Sequence, residues 1–135
     1  MTVMVVTRLR LRDPSLLDHF FAAAVAVLEQ AKGSHGCVGS EVLTEAHDAW
    51  WTVTAWQDRD TMGVFVGQEP HLTTMSSLDT WCDEATFVDW EQDSADLPDW
   101  QTSYRHLVDD GQVATLTNAS PAHATRAFPA PVVAS

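Results

Sequence analysis

The sequence predicts an α+β fold of ferredoxin-like type, with the order β-α-β-β-α-β and an extra C-terminal helix. Three observations carry that prediction. An alternating segment at the start is followed by a long helical stripe. Two further strand-like segments, Cys37 to Glu45 and Ala49 to Gln57, flank the short turn "HD". A second helical region then leads to a fourth alternating segment, Ala85 to Glu91. Elements in that order form a four-stranded antiparallel sheet with both helices on one face.

Each element has its own local reason. From Met4 to Arg12 the chain sets Val3, Val5, Thr7, Leu9 and Leu11 against Met4, Val6, Arg8 and Arg10, a strand with one wetter face. "DPS" opens a helix, with Asp13 as N-cap and Pro14 at the first helical position. Leu16, Leu17, Phe20, Phe21, Ala24, Val25 and Leu28 give that helix one apolar stripe. Lys32 and Gly33 close it, the glycine by a left-handed exit. Asp58 or Asp60 caps the second helical region, which contains Met62, Phe65 and Val66. "GQEP" interrupts it, because proline inside a helix forfeits a hydrogen bond. The helix restarts at Pro70 and aligns His71, Met75, Leu78 and Cys82. "DLPDW" starts a last helix on which Trp100, Tyr104 and Leu107 share a face.

After Gly111 the chain is rich in Ala, Pro, Ser and Thr and has no periodic stripe. The expected organisation is one domain over residues 1–111 and a flexible tail over 112–135, with Phe128 or Val132 and Val133 as points where the tail could dock on a partner subunit. A ferredoxin-like sheet with helices on one side leaves its other face open. Pairing two such faces buries them, so a homodimer is expected.

The chain has 135 residues, of which 45% are hydrophobic, enough for one core without metal or disulfide staples. Its two cysteines, Cys37 and Cys82, read as reduced core thiols rather than a bridge. Seven basic against 19 acidic side chains give a formal charge of −12, which argues against nucleic acid and anionic membranes. No apolar run reaches the roughly 20 residues of a membrane span, and the first twelve residues do not read as a signal peptide. A cytoplasmic protein is expected. Nine acids between Asp83 and Asp110 read as a solvated face.

"WTVTAWQDRDTMGVFVGQEPHLTTM" resembles the third strand and second helix of the antibiotic biosynthesis monooxygenase-like superfamily of dimeric α/β barrels. The pattern is a strand ending in Trp56, an acidic turn from Asp58 to Asp60, a helix with central Phe65, then His71. "WCDEATFVDWEQ" and "LPDWQTSYRHL" are similar to members that add a final helix, so the resemblance spans about Val3 to Leu107. It implies a dimeric barrel and, among members, cofactor-free oxygenases of aromatic polyketides, haem-degrading enzymes, polyketide cyclases and dehydratases. In the anthrone-oxidising members an Asn lies four positions before the strand Trp; here that position holds Thr52.

The candidate chemistry centres on one strand and one histidine. Trp50, Thr52, Thr54 and Trp56 share a strand face, where bulky indoles flanking small hydroxyls can leave a slot for a flat ligand. The competing reading is plain core packing. Phe65, Met75 and Trp81 are expected to help line the slot. His71 is the acid–base candidate, because an imidazole exchanges protons near neutrality. It could equally be a structural core histidine. The other five histidines, His19, His35, His47, His106 and His123, lack zinc-site spacing. No metal and no cofactor is expected; haem would need His71 as its axial ligand. Arg8 and Arg10 share a strand face and could hold an acidic substrate or pair with the surplus acids. The expected function is a cofactor-independent monooxygenase acting on a hydrophobic aromatic or polyketide-like molecule. The alternatives are a non-oxidative cyclase, dehydratase or isomerase in the same pocket, or a metabolite-binding protein.

Overall fold

A computed structural model of the chain describes residues 1–45 and 48–132. His47, expected in a turn, and Val133 of the tail lie outside the described residues. The chain folds as β1 (Thr2–Leu11), a short 3-10 turn (Pro14–Leu16), α1 (Leu17–Gly33), β2 (Cys37–Glu45), β3 (Ala49–Trp56), α2 (Arg59–Val66), α3 (His71–Ser76), α4 (Leu78–Trp81), β4 (Cys82–Gln92), α5 (Trp100–Asp110) and β5 (Gln112–Val113). The strands form one sheet in the order β2-β3-β1-β4-β5, and every pairing is antiparallel. The sheet has five strands, not four.

The helix starts follow the sequence closely. The Asp13 side chain accepts from the Ser15 N–H at 2.8 Å, Asp58 from Thr61 at 2.8 Å and Asp99 from Thr102 at 2.7 Å. Each satisfies an amide that the first helical turn leaves unpaired. Two boundaries differ from expectation. The helix after Pro70 breaks at Ser77, and Cys82 begins β4 rather than ending a helix, with its side chain fully buried. The left-handed glycine is Gly36 (φ 90°), not Gly33. Thr61 packs against the Gly36 Cα, so any side chain there would collide with it.

The largest correction concerns the segment after Gly111 and the face it was expected to leave open. Gln112 and Val113 pair with Phe87 and Thr86, adding the fifth strand. Ser120 donates its backbone N–H to Asp83 O at 2.9 Å and its hydroxyl to Glu84 at 2.6 Å. Both Thr117 donors reach Asp79, at 2.6 and 2.7 Å. His123 is buried and bridges the Ala85 N–H and the Ala114 carbonyl. Phe128, 3% exposed, joins Val6, Trp51, Val53, Val88 and Leu107 in one core cluster. Composition concealed this docking because it rests on single anchoring side chains rather than on a repeating stripe.

α5 and Phe128 cover the sheet face opposite α1, while Ala114 and Leu116 pack with Leu11, Phe20 and Leu78 on the α1 side. Phe128 meets Trp51 edge-on at 6.1 Å and Tyr104 at 6.0 Å, while Trp100 meets Trp51 at 6.4 Å. The strand face that looked wetter is therefore the drier one: Met4 and Val6 are fully buried, and Arg8 is 4% exposed. Phe128 docks within its own chain. The open face that motivated a homodimer and a two-sheet barrel is occupied by the chain itself.

Candidate active site

On its other side the sheet faces α1 through α4 and encloses a hollow. Register places Trp50, Thr52, Thr54 and Trp56 of β3 beside Leu9, Thr7, Val5 and Val3 of β1 on this face. The cavity measures about 130 Å³. His71, Trp50, Thr52, Thr54, Trp56, Phe65, Met75 and Trp81 all line it, so the structure brings the eight singled-out side chains to one place. Thr52 and Thr54 are only half-buried, whereas Trp51, Val53 and Ala55 on the opposite face are fully buried. An apolar cavity of about 150 Å³ accommodates benzene. The hollow is thus the size of one aromatic ring, below the roughly 300 Å³ at which sites for drug-sized ligands begin.

His71 is held by contacts on its backbone and ring. Its backbone N–H donates to Gln30 Oε1 at 2.8 Å, and Gln30 Nε2 donates to the Phe65 carbonyl at 3.0 Å. One α1 side chain therefore ties the end of α2 to the start of α3. The ring packs 4.8 Å from Phe65, which packs 4.8 Å from Trp56. Nδ1 lies 3.1 Å from the Val66 carbonyl. A carbonyl only accepts, so Nδ1 carries the proton and Nε2 of the neutral ring keeps a free lone pair. Burial lowers the His71 pKa, with the Val66 bond opposing in part. The ring is thereby kept neutral and able to accept a proton.

Two contributors escaped the sequence reading. Thr7 lies directly across from Thr52 on β1, which adds its hydroxyl to those of Thr52 and Thr54 at the cavity. The alternation of β1 had marked its face, but the cross-strand partner is fixed only by register. Gln30 lies away from the apolar stripe, and no sequence signal distinguishes it. The Thr54 hydroxyl is already engaged, accepting from Trp56 Nε1 at 2.9 Å.

Arg8 and Arg10 are not part of this site. They point to the opposite face, where Arg8 meets Glu84 at 2.5 Å and Arg10 meets it at 2.9 Å. The Arg8 guanidinium also lies 4.5 Å from the Phe128 ring centre. Glu84 is 2% exposed. Burial pushes its pKa up, but bonds from Ser120, Arg8 and Arg10 outweigh this and hold it below the ordinary value. Pairing with surplus acids is the reading that fits the arginines. Cys37 and Cys82 are free thiols, and burial pushes Cys82 up to about 12, so it offers no thiolate. Among the described residues no helix is long and apolar enough to cross a membrane.

No protein-family model matches the chain, and no curated protein matches it. Solved structures do. An antibiotic biosynthesis monooxygenase superposes with a TM-score of 0.60 at 12% identity, over 68% of this chain and 99% of its own. At that identity the likeness is one of fold, the ferredoxin-like α+β arrangement. A putative antibiotic biosynthesis monooxygenase from Nitrosomonas europaea matches at 0.60 and 18% identity, covering 70% of this chain and 100% of its own. SnoaB, a cofactor-independent oxygenase from Streptomyces nogalater, matches at 0.54 and 18% identity, covering 73% and 98%. These monooxygenase-like structures fit almost whole onto this chain, and more than a quarter of this chain has no counterpart in them.

Proposed function

We propose that the chain is a cofactor-independent enzyme acting on a small aromatic or otherwise hydrophobic molecule bound between the sheet and α1–α4. The observation that carries this reading is the His71 ring, its Nδ1 held by the Val66 carbonyl, at a ring-sized apolar cavity. His71 Nε2 takes a proton from a phenol or an activated C–H. Thr52 and Thr7 orient the substrate oxygen, and Trp50, Trp56, Trp81, Phe65 and Met75 exclude water. In the oxygenase form an activated CH2 group becomes a carbonyl. Dioxygen supplies that oxygen atom, its other atom leaves as water, and the substrate provides all the electrons. The fold shared with SnoaB supports oxygenation as the first reading.

Thr52, standing where anthrone oxidisers carry Asn, supports a second reading, in which the same proton abstraction leads to cyclisation, dehydration or isomerisation without oxygen. A carrier of hydrophobic metabolites would use the pocket without His71 chemistry. The deciding experiment screens monocyclic and bicyclic phenols and 1,3-dicarbonyls with and without oxygen, using wild type and His71→Gln. The expected result is oxygen-dependent turnover that falls about 10²- to 10⁴-fold in the variant. Undiminished anaerobic turnover would transfer the reading to non-oxidative chemistry. Full turnover by His71→Gln would remove the proposed base.

A further inference from the structure

The cavity has a polar end and an apolar end. Along its strand face Trp56, Thr54, Thr52 and Trp50 stand in turn beside Val3, Val5, Thr7 and Leu9. At one end Trp56 packs on Phe65, and Phe65 packs on the His71 ring. At the other, Trp50 and Trp81 meet Phe20 edge-on at 5.6 and 6.1 Å, in one cluster with Leu9 and Leu78. No Asp, Glu, Lys or Arg is among the described residues that line the cavity, so a ligand there meets hydroxyls and an imidazole rather than a counter-ion. One of those hydroxyls has its direction decided. Thr54 Oγ1 accepts the Trp56 indole N–H at 2.9 Å. An indole nitrogen only donates, whereas a threonine hydroxyl carries one proton and two lone pairs. The Trp56 bond uses a lone pair of Thr54 and leaves its proton uncommitted, for Thr54 donates to no acceptor among the described residues. A hydroxyl that already accepts is also polarised into a stronger donor.

We propose that Thr54 is the donor that selects and orients the ligand, an uncharged monocyclic ketone. Its carbonyl oxygen takes the Thr54 proton at the Trp56 end, and its hydrocarbon skeleton lies toward Phe20, Trp50 and Trp81. The inference deepens the cavity reading above and rests on it. Volume limits the ligand to about one ring. The missing counter-ion rejects a carboxylate, because burying an unpaired charge is costly. The free hydroxyl proton calls for an acceptor, and a ketone oxygen brings no proton of its own to compete. The same bond serves the chemistry. When His71 Nε2 takes the proton from the carbon beside the carbonyl, the C–H electron pair moves into an enolate and its oxygen becomes negative. The hydrogen bond from Thr54 is then charge-assisted, so it strengthens as the proton leaves.

NMR titration of the isotope-labelled protein with cyclohexanone, methylenecyclohexane and cyclohexanecarboxylate tests this, read at the tryptophan indole N–H signals. Methylenecyclohexane keeps the ring and puts CH2 where the ketone has oxygen. Both neutral probes should shift the signals of Trp50, Trp56 and Trp81, and the carboxylate should not. Thr54→Val should weaken cyclohexanone about tenfold and leave methylenecyclohexane within about twofold of wild type. Thr54→Ser keeps the hydroxyl and should hold cyclohexanone within about threefold. Circular dichroism confirms that each variant is folded, and Thr54→Ala repeats the test should the valine not fold. If neither neutral probe moves the three indole signals, the cavity reading falls and the Thr54 role with it. If methylenecyclohexane alone binds, or loss of the Thr54 hydroxyl affects both probes equally or neither, the Thr54 role is overturned and the cavity stands. A ketone loss in Thr52→Val with none in Thr54→Val would also overturn it. Saturable carboxylate binding at these signals would overturn the uncharged ligand.

Discussion

The two faces of this sheet are made by the same strands and meet opposite fates. On β3, Trp51, Val53 and Ala55 are buried to the last atom beneath α5 and Phe128. Their neighbours Trp50, Thr52 and Thr54 look into a hollow that α1 to α4 do not fill. Close packing maximises dispersion contacts and leaves no room for a ligand; a void sacrifices contacts and creates that room. One face therefore supplies stability, and the other uses some of it for binding.

That contrast breaks first if the covering segment is removed. Deleting residues 97–135 exposes Trp51, Val53, Val6 and Val88 together, and the expected result is loss of the folded protein, seen as aggregation beyond that of the full-length chain in size-exclusion chromatography. A stable, non-aggregating truncation would show that the C-terminal segment is not needed to cover the sheet. Next comes the polar anchor: Glu84→Ala strands Arg8 without its partner and should cost about 3–5 kcal/mol in urea unfolding. Leu107→Ala, at a fully buried position, should cost about 2–5 kcal/mol by the same measurement. On the hollow face Thr52→Val changes little packing and should stay within about 1 kcal/mol. A Thr52 effect as large as that of Leu107 would erase the distinction between the faces.

pH sharpens the comparison because the fold lowers the pKa of Glu84 on one face and of His71 on the other. Glu84 is held below its ordinary pKa, so the unfolded chain takes up protons first as pH falls. Its stabilisation is present above the unfolded carboxylate value and lost through the lower folded one. His71 is also depressed, so as pH drops below the ordinary imidazole value the unfolded state again binds protons first and stability declines. Activity that uses the neutral ring should persist to a lower pH than an unperturbed histidine allows. A rate profile with its acid limb above the ordinary imidazole pKa would contradict the assignment. Urea unfolding against pH reads both carboxylate and imidazole effects, and Glu84→Gln separates them.

Much of this architecture was legible in the chain. Asp13, Asp58 and Asp99 announce their caps, and period-two and helical stripes mark the strands and α1. The cavity wall was legible too, because strand alternation alone puts Trp50, Thr52, Thr54 and Trp56 on one side. The C-terminal docking was hidden. Ser120, His123 and Phe128 act as isolated anchors, each specified by a distant partner: Glu84, Ala85 and Trp51. Arg8 and Arg10 made β1 look wet on one face, since sequence shows charges but not the buried carboxylate that meets them. Thr7 and Gln30 joined the site through register and a helix–loop contact, which no local pattern encodes.

The chain's six tryptophans divide evenly between the faces. Trp50, Trp56 and Trp81 surround the hollow, while Trp51, Trp90 and Trp100 belong to the cluster beneath the C-terminal segment. The molecule thus carries two built-in optical reporters. A bound aromatic should quench the first trio and leave emission from the second, whereas detachment of the C-terminal segment should red-shift the second and spare the first. A single fluorescence spectrum, resolved with Trp→Phe substitutions, can tell occupancy from undocking.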